Sequence, residues 1–398
     1  MALQLGLTGD VMLGRLVDEA QRQRHYRAVW GDVRQRLEAL DGLLINLECC
    51  LSNRGQKWRR TDRPFHFRAD PNWANPALDG VGVSCCALAN NHVLDYEESA
   101  LLDTIDHLDE AGIASAGAGE TKREAFAPTT FMLGRAAEAA DDEAPEEDAD
   151  RADRRRRRDR SGDADGRRMT DGGNRRADSQ ERHPDGDGRR TDCESERATV
   201  AVVSFTDNTP EYAAAEYSPG TAYVPIDVDD PEVRSTVQAA LGRARAREPD
   251  LLIASLHWGP NMKAEPPEGF RRFGRWLVDQ GVDLLHGHSA HVVQGIEVHD
   301  GVPILYDCGD FVDDYAVDEE LRNDLGFLFE ATVEPGADAG PITELRLHPT
   351  EIEDRAVHEA SDGNADVVRD RMRERSAALG TTLEEEEEEG GGLLLELA

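Results

Sequence analysis

The run HGHSAHVVQGIEV, residues 286–298, sets His288 and His291 directly after the apolar segment DLL. A strand that ends in two closely spaced imidazoles can aim two neutral rings at one metal ion. Gly287 is read as the residue that lets the chain turn sharply there. Further segments have the same form: TGDVMLGR (8–15) after LQLGL, INLE (45–48) after GLL, ALANNH (87–92) after VGVSCC, and SLHWG (255–259) after DLLIA. Each is an apolar strand that ends in Asp, Glu, Asn or His. Strand ends of an α/β sheet converge on one edge, where such folds keep their sites. A single Asp or His at such a place more often caps a helix or fills a turn. Oxygen and nitrogen donors repeated at strand after strand are read instead as a metal site.

The elements that must position these residues are legible in the hydrophobic pattern. Residues 1–134 alternate strand and helix: strand 3–8, helices near 14–28 and 30–40, strand 43–47, a short helix over 73–79, strand 81–86, and a helix over 96–111 with Leu101, Ile105 and Leu108 on one face. Gly112 supplies its stop. The run TVAVVSF (199–205) reads as a buried strand. A helix near 231–247, strand 251–255, a helix near 266–280 and strand 283–287 follow. The segments GIEVHDGVPILYDCG, LGFLFEATVE and PITELRLHP read as mainly β, and 364–378 as a charged helix.

Between the two patterned halves, residues 136–198 hold no Val, Ile, Leu, Phe, Tyr or Trp and centre on DRRRRRDR. Such a span cannot bury enough apolar area to offset its ordering entropy, so a disordered insertion is expected. Acidic blocks flank the arginine run, which favours a solvated loop over an RNA or anion contact. The tail TTLEEEEEEGGGLLLELA, residues 381–398, is likewise expected to be disordered. The halves 1–135 and 199–380 then form one α/β domain, since their strand-end donors must meet.

The net charge is −36, and of 45 basic residues the lysines are Lys57, Lys122 and Lys263 alone. Acid excess with so little lysine reads as a halophilic surface. A surface this acidic repels phosphate backbones and argues against a nucleic-acid partner. No signal peptide and no membrane-length apolar run is visible, so a cytoplasmic protein is expected. The oligomeric state is not legible. The cysteines are Cys49–Cys50, Cys85–Cys86, Cys193 and Cys308, with no C-x-x-C spacing, and are read as small buried apolar residues.

Taken together, GDVMLGR, INLE, FHFRADP (65–71), LANNHVLDY, the GAG at 117–119, FTDN (205–208), HWG, and GHSAHVVQGIEV followed by ILYDCGDFVDDY resemble the CapA family. These are the poly-γ-glutamate capsule biosynthesis proteins of the calcineurin-like metallophosphoesterase superfamily. The motifs span residues 8–315, insertion excluded. The resemblance implies a four-layer α/β/β/α metallophosphoesterase-like sandwich of two mixed sheets, with a two-metal centre at the strand ends. It implies that Asp10 is the first carboxylate ligand, Glu48 the metal-bridging acid and Asn91 the amide ligand. His257, His288 and His291 would be imidazole ligands, and His92 the acid that protonates a leaving oxygen. Mixed oxygen and nitrogen donors suit divalent Mn, Fe or Zn, two ions in all. Arg15 and Arg68 are the best candidates for binding an anionic substrate, against the alternative of surface salt bridges.

The chain departs from the pattern in places. Met12 stands where the superfamily has a His, which costs one ligand. Asn261 replaces the acid that commonly follows HWG. Gly309–Asp310 replaces a Gly–Asn pair, with Asp313 and Asp314 close behind. These extra carboxylates are either compensating ligands or halophilic surface. The function implied is a metal-dependent protein with a phosphoesterase-type site, associated with poly-γ-glutamate biosynthesis. The alternatives are a cytoplasmic metallohydrolase of a small phosphoester or γ-glutamyl polymer, and a non-catalytic scaffold that binds an anionic polymer.

Overall fold

The runs LQLGLTGDV, GLLINL, ATVAVVSFT and LLIASLH are apolar along nearly their whole length, and they become strands with both faces covered. The computed structural model of the chain describes residues 2–134, 197–337, 340–386 and 391–397. The charged span expected as an insertion lies outside the described residues, except Arg197 and Ala198, and Ala198 already opens the strand Ala198–Thr206. Cys193 lies outside them too. The other five cysteines are free thiols and buried, as expected of small apolar residues.

The strands make two large mixed sheets. In the ten-stranded sheet, Leu3–Val11 runs parallel to Gly42–Leu47, which runs parallel to Val83–Ala87 and then Ala114–Ala116. On its other side Leu3–Val11 pairs antiparallel with Leu325–Val333, which pairs with Ile342–Glu353. The short strand Asp310–Val312 also pairs with Leu3–Val11, in parallel and with Asp310 opposite Asp10. In the six-stranded sheet, Ala198–Thr206, Leu251–His257, Leu284–His288 and Val302–Leu305 run parallel, with Thr129–Leu133 and Ile296–His299 antiparallel at the two edges.

Alternation along the strands divides the core into three. Leu5, Leu7, Leu44 and Cys85 of the larger sheet pack with Val200, Val202, Leu251, Ile253 and Leu284 of the smaller. Their neighbours in sequence point the other way, as the two-residue period requires. Ile45, Leu47 and Cys86 meet the helices Arg15–Gln21, Arg34–Ala39, Pro71–Asp79 and Glu97–Glu110. Ala201, Val203, Leu252 and Ala254 meet the helices Pro231–Arg245 and Glu268–Asp279. Of the expected face of Glu97–Glu110, Leu101 and Leu108 are buried and Ile105 is partly buried. The helix expected over 14–28 is shorter, and Tyr26–Trp30 forms a separate 3-10 turn.

The tail corrects an expectation. Leu393–Glu396 is a strand, paired antiparallel with Ile342–Glu353 so that Leu395 lies opposite Leu345. Leu393 and Leu395 are buried in the core between the sheets. Counting acids hid the period-two apolar face of LLLEL. Each buried leucine contributes roughly 1.5–3 kcal/mol of transfer free energy, enough to hold a short strand on an open sheet edge. No helix among the described residues is long and apolar enough to cross a membrane.

Candidate metal centre

Parallel strands present their C-terminal ends on one side, and the two sheets turn those ends toward each other. Asp10, Glu48, His257 and His288 are fully or almost fully buried there. Asp10 sits opposite Asn46, whose amide donates to Asp10 Oδ1 at 2.7 Å. Glu48 follows the second strand, and the Tyr315 hydroxyl donates to its Oε2 at 3.0 Å. His257 and His288 are direct neighbours in register, with their Nδ1 atoms 3.0 Å apart. His291 Nδ1 lies 2.8 Å from Asp310 Oδ1 and 3.5 Å from Asp10 Oδ2.

Two groups of potential ligands result, each with its donor atoms within 4.8 Å of one another: Asp10, His257 and His288, and Asp10, Glu48, His291 and Asp310. Asp10 belongs to both. Asp10 Oδ2, Glu48 Oε1, Asn91 Oδ1, His257 Nε2 and Asp310 Oδ2 are buried and have no hydrogen-bond partner among the described residues. Buried polar atoms normally find partners. Asp10, Glu48, His257 and Asp310 belong to the two ligand groups that share Asp10, and unpartnered oxygen and nitrogen atoms set so close have the chemistry of a cation site, so these residues fit a divalent metal.

Two glycines allow the close approach. A Cβ on Gly9 would sit 1.9 Å from the Gly309 carbonyl oxygen, which accepts the Asp10 N–H at 2.9 Å. A Cβ on Gly287 would sit 2.1 Å from the Tyr306 carbonyl oxygen. Gly287 therefore lies inside a strand and is needed for packing, which corrects its reading as a turn. The turn is made instead by Ser289 and His291, at φ 112° and 60°. Positive φ in such residues is strained and has to be held by its surroundings. Asp307 does that, accepting the N–H groups of Ala290 at 2.6 Å and Gly309 at 2.8 Å.

Burial dominates the electrostatics. It raises Asp10 to about 6 and Asp307 to about 8, with the Asp10 charge adding to the latter. Burial also pushes Glu48 and Asp310 well above the carboxylate range, and neighbouring acids push them further. His257 and His288 are held well below the usual imidazole value by burial and by adjacent imidazoles. At His291, burial is outweighed by the charges of Glu48, Asp10, Asp307 and Asp313, and the pKa rises. Carboxylates this close cannot all ionise without a cation among them.

Asn91 keeps a buried Oδ1 with no hydrogen-bond partner among the described residues, while its backbone carbonyl accepts from Arg63. Asn90 has no such freedom, because its amide is spent on Asn46, Leu47 and the N–H groups of His92 and Val93. His92 Nδ1 is 2.6 Å from Asp95 Oδ2, and its ring stacks on Phe67 at 3.8 Å. Asp95 is itself held by Phe67 N–H and the Tyr212 hydroxyl. The Arg15 guanidinium lies 5.7 Å from the Phe67 ring and 3.4 Å from Asp314, so the salt bridge weighed against it exists. Arg68 packs 4.0 Å over Tyr96 and donates to the Arg54 carbonyl. Among the described residues no hydrogen bond, ion pair or ring contact joins Arg68 to the donor cluster.

Asp310 and Asp313 are buried and the Asp314 side chain is 1% exposed, so none of them is halophilic surface. Sequence reading passed over Asn46, Tyr315, Asp307, Arg63, and the pair Ser255 and His286 behind His288. Asn46, Ser255 and His286 carried a signal, since each is a polar residue inside an otherwise apolar strand.

A family model described as bacterial capsule synthesis protein PGA_cap matches residues 4–315. The chain belongs to this PGA_cap family. The match encloses every donor residue of the cluster, Asp310 included. A probable polyglutamine synthesis accessory protein of Mycobacterium tuberculosis is 29% identical over 415 residues, covering 94% of this chain and 91% of the relative. The PGA biosynthesis protein CapA of Bacillus subtilis is 20% identical, covering 78% of this chain and 63% of the relative. The capsule biosynthesis protein CapA of Bacillus anthracis is 23% identical, covering 78% and 60%.

Proposed function

We propose that this PGA_cap protein is a metal-dependent hydrolase with a phosphoesterase-type site, serving the synthesis of a poly-γ-glutamate-type polymer. The orphaned buried donors carry the metal reading. The names of the relatives support the link to the polymer. The three apolar cores, one between the sheets and one outside each, support the four-layer arrangement of the metallophosphoesterases.

In this reading Asp10, Glu48, Asn91, His257, His288 and His291 hold one or two divalent ions of the Mn, Fe or Zn type. Asp310 joins them, opposite Asp10 in register, and supplies the donor that Met12 cannot. Bound metal would acidify a water and neutralise charge on an ester oxygen. In its imidazolium form, which Asp95 favours against the lowering by burial, His92 would deliver the Nε2 proton to the leaving oxygen and become neutral, with Asp95 accepting from Nδ1 and Phe67 stacked on the ring. Arg15, on the aromatic pair Phe65 and Phe67, is the remaining candidate for contact with an anionic substrate, a phosphoester or a γ-glutamyl polymer. Arg68 lacks such support.

Elemental analysis of the purified full chain and its His288→Ala variant, with turnover of an aryl phosphate at high salt, tests this. Metal in the wild type, its loss in the variant, and metal-dependent turnover are expected. Equal metal in both proteins would place the site elsewhere. Bound metal without turnover of phosphoester or γ-glutamyl substrates would leave a polymer-binding scaffold.

A further inference from the structure

His288 is joined to the backbone of the first strand through two polar side chains buried in otherwise apolar strands. His286 Nε2 lies 2.7 Å from the Thr8 carbonyl oxygen. His286 Nδ1 lies 3.1 Å from Ser255 Oγ, and Ser255 Oγ lies 3.0 Å from His288 Nε2. His286, Ser255 and His288 are all 0% exposed.

The direction of this chain follows from counting protons. A carbonyl oxygen accepts and never donates, so His286 Nε2 carries hydrogen. His286 is fully buried, its ring nitrogens meet the Thr8 carbonyl and the Ser255 hydroxyl, and among the described residues no carboxylate forms an ion pair with it, so its ring is neutral and Nδ1 is an acceptor. Ser255 must therefore donate its one hydroxyl hydrogen to His286. With that hydrogen spent, the contact between Ser255 and His288 needs hydrogen on His288 Nε2. The neutral His288 ring then has a bare lone pair on Nδ1. That atom is the one facing Asp10 Oδ1 at 3.5 Å and His257 Nδ1 at 3.0 Å. The opposite direction would need hydrogen on both nitrogens of His286, an uncompensated charge in a dry core.

We propose that Ser255 and His286 are positioning residues that lock His288 in its Nε2–H tautomer, so that Nδ1 is the ligating atom. The tautomer stands on the hydrogen bonds alone, and its use for a cation rests on the metal reading above. An outer partner of this kind saves the ring from having to change tautomer when metal arrives, and its loss typically weakens metal binding 10–100-fold.

The test uses full-length protein labelled with 15N-histidine, stripped of metal and then titrated with zinc. In the metal-free wild type, His288, assigned by the signal missing from His288→Gln, should show the Nε2–H tautomer. Ser255→Ala and His286→Leu should each admit the Nδ1–H form and weaken zinc binding by about 10-fold. His286→Gln should restore both readouts, because its amide donates to Thr8 and its oxygen accepts from Ser255. A merely space-filling role would favour leucine as much as glutamine. An Nδ1–H tautomer in the wild type overturns the proposal, as does glutamine no better than leucine, or tautomer and affinity unchanged in Ser255→Ala. If wild type shows the expected tautomer yet binds no zinc, the metal reading fails and the relay stands. Zinc bound with the other tautomer overturns the relay and leaves the metal reading in place.

Discussion

The two halves of the donor cluster are prepared in opposite ways. On the side of the six-stranded sheet, His288 Nε2 is held by Ser255, and burial keeps His288 and His257 uncharged. On the side of the ten-stranded sheet, Asp10, Glu48 and Asp310 each keep a buried oxygen with no partner, and their pKa values are raised. The imidazole half is uncharged and needs no counter-charge before a cation arrives, whereas the carboxylate half is frustrated until one does. Neutral donors cost little to bury, but acids held together need a counter-charge. Asp10 is common to both halves and to both ligand groups.

That contrast can be broken at its shared point. Asp10→Ala should remove most of the metal from both groups, read by elemental analysis after dialysis. Loss of only half the metal would show that the imidazole half holds an ion without Asp10. His92 belongs to neither half, being bound to Asp95 and Phe67. His92→Ala should lower turnover by roughly 10²–10⁴-fold with metal content unchanged. Parallel loss of metal and turnover would move His92 into the cluster.

Tyr315→Phe removes the hydroxyl donated to Glu48 and should weaken metal binding by about 10-fold, measured by competition with a chelator. An unchanged affinity would mean that Glu48 is oriented by its packing alone.

The smallest effect is a pH dependence. In chelated protein the folded state raises Asp10 to about 6 and Asp307 to about 8, and raises His291 as well. Groups raised in this way lose their stabilising contribution as pH climbs through the folded value. His257, His286 and His288 are lowered, so their contribution is lost as pH falls below the ordinary imidazole value of 6.5. From pH 6.5 to 8, therefore, the raised groups decide the sign. The Tm of chelated protein should fall by roughly 2–4 °C over that window, and that of metal-loaded protein by less. Equal slopes would mean that metal does not relieve the carboxylate half.

Much of this was open to reading residue by residue. Asp10, Glu48, Asn91, His257, His288 and His291 were legible because each ends or follows an apolar run, and all of them but Asn91 fall in the two groups of close-set potential ligands. Asp310 was ambiguous, because an acid in an acid-rich chain carries no mark of burial. The place of Arg68 over Tyr96 was not legible, because a guanidinium beside a motif says nothing about which aromatic face it will cover. Leu393 and Leu395 were hidden by the glutamates and glycines around them.

What the sequence determined by itself was local: continuous apolar runs that must be covered on both faces, and polar donors at their ends. What only the tertiary structure decided was which donors face one another and which atoms are left without partners. Asp310 lies opposite Asp10 through a short parallel pairing formed by residues roughly 300 apart in the chain, and no local pattern encodes such a register. The Ser255–His286 chain exists because two sheets pack so that a histidine of one reaches the Thr8 carbonyl of the other. Burial then does the rest, since removing water turns ordinary acids and imidazoles into a site whose charges and tautomers are set by their neighbours.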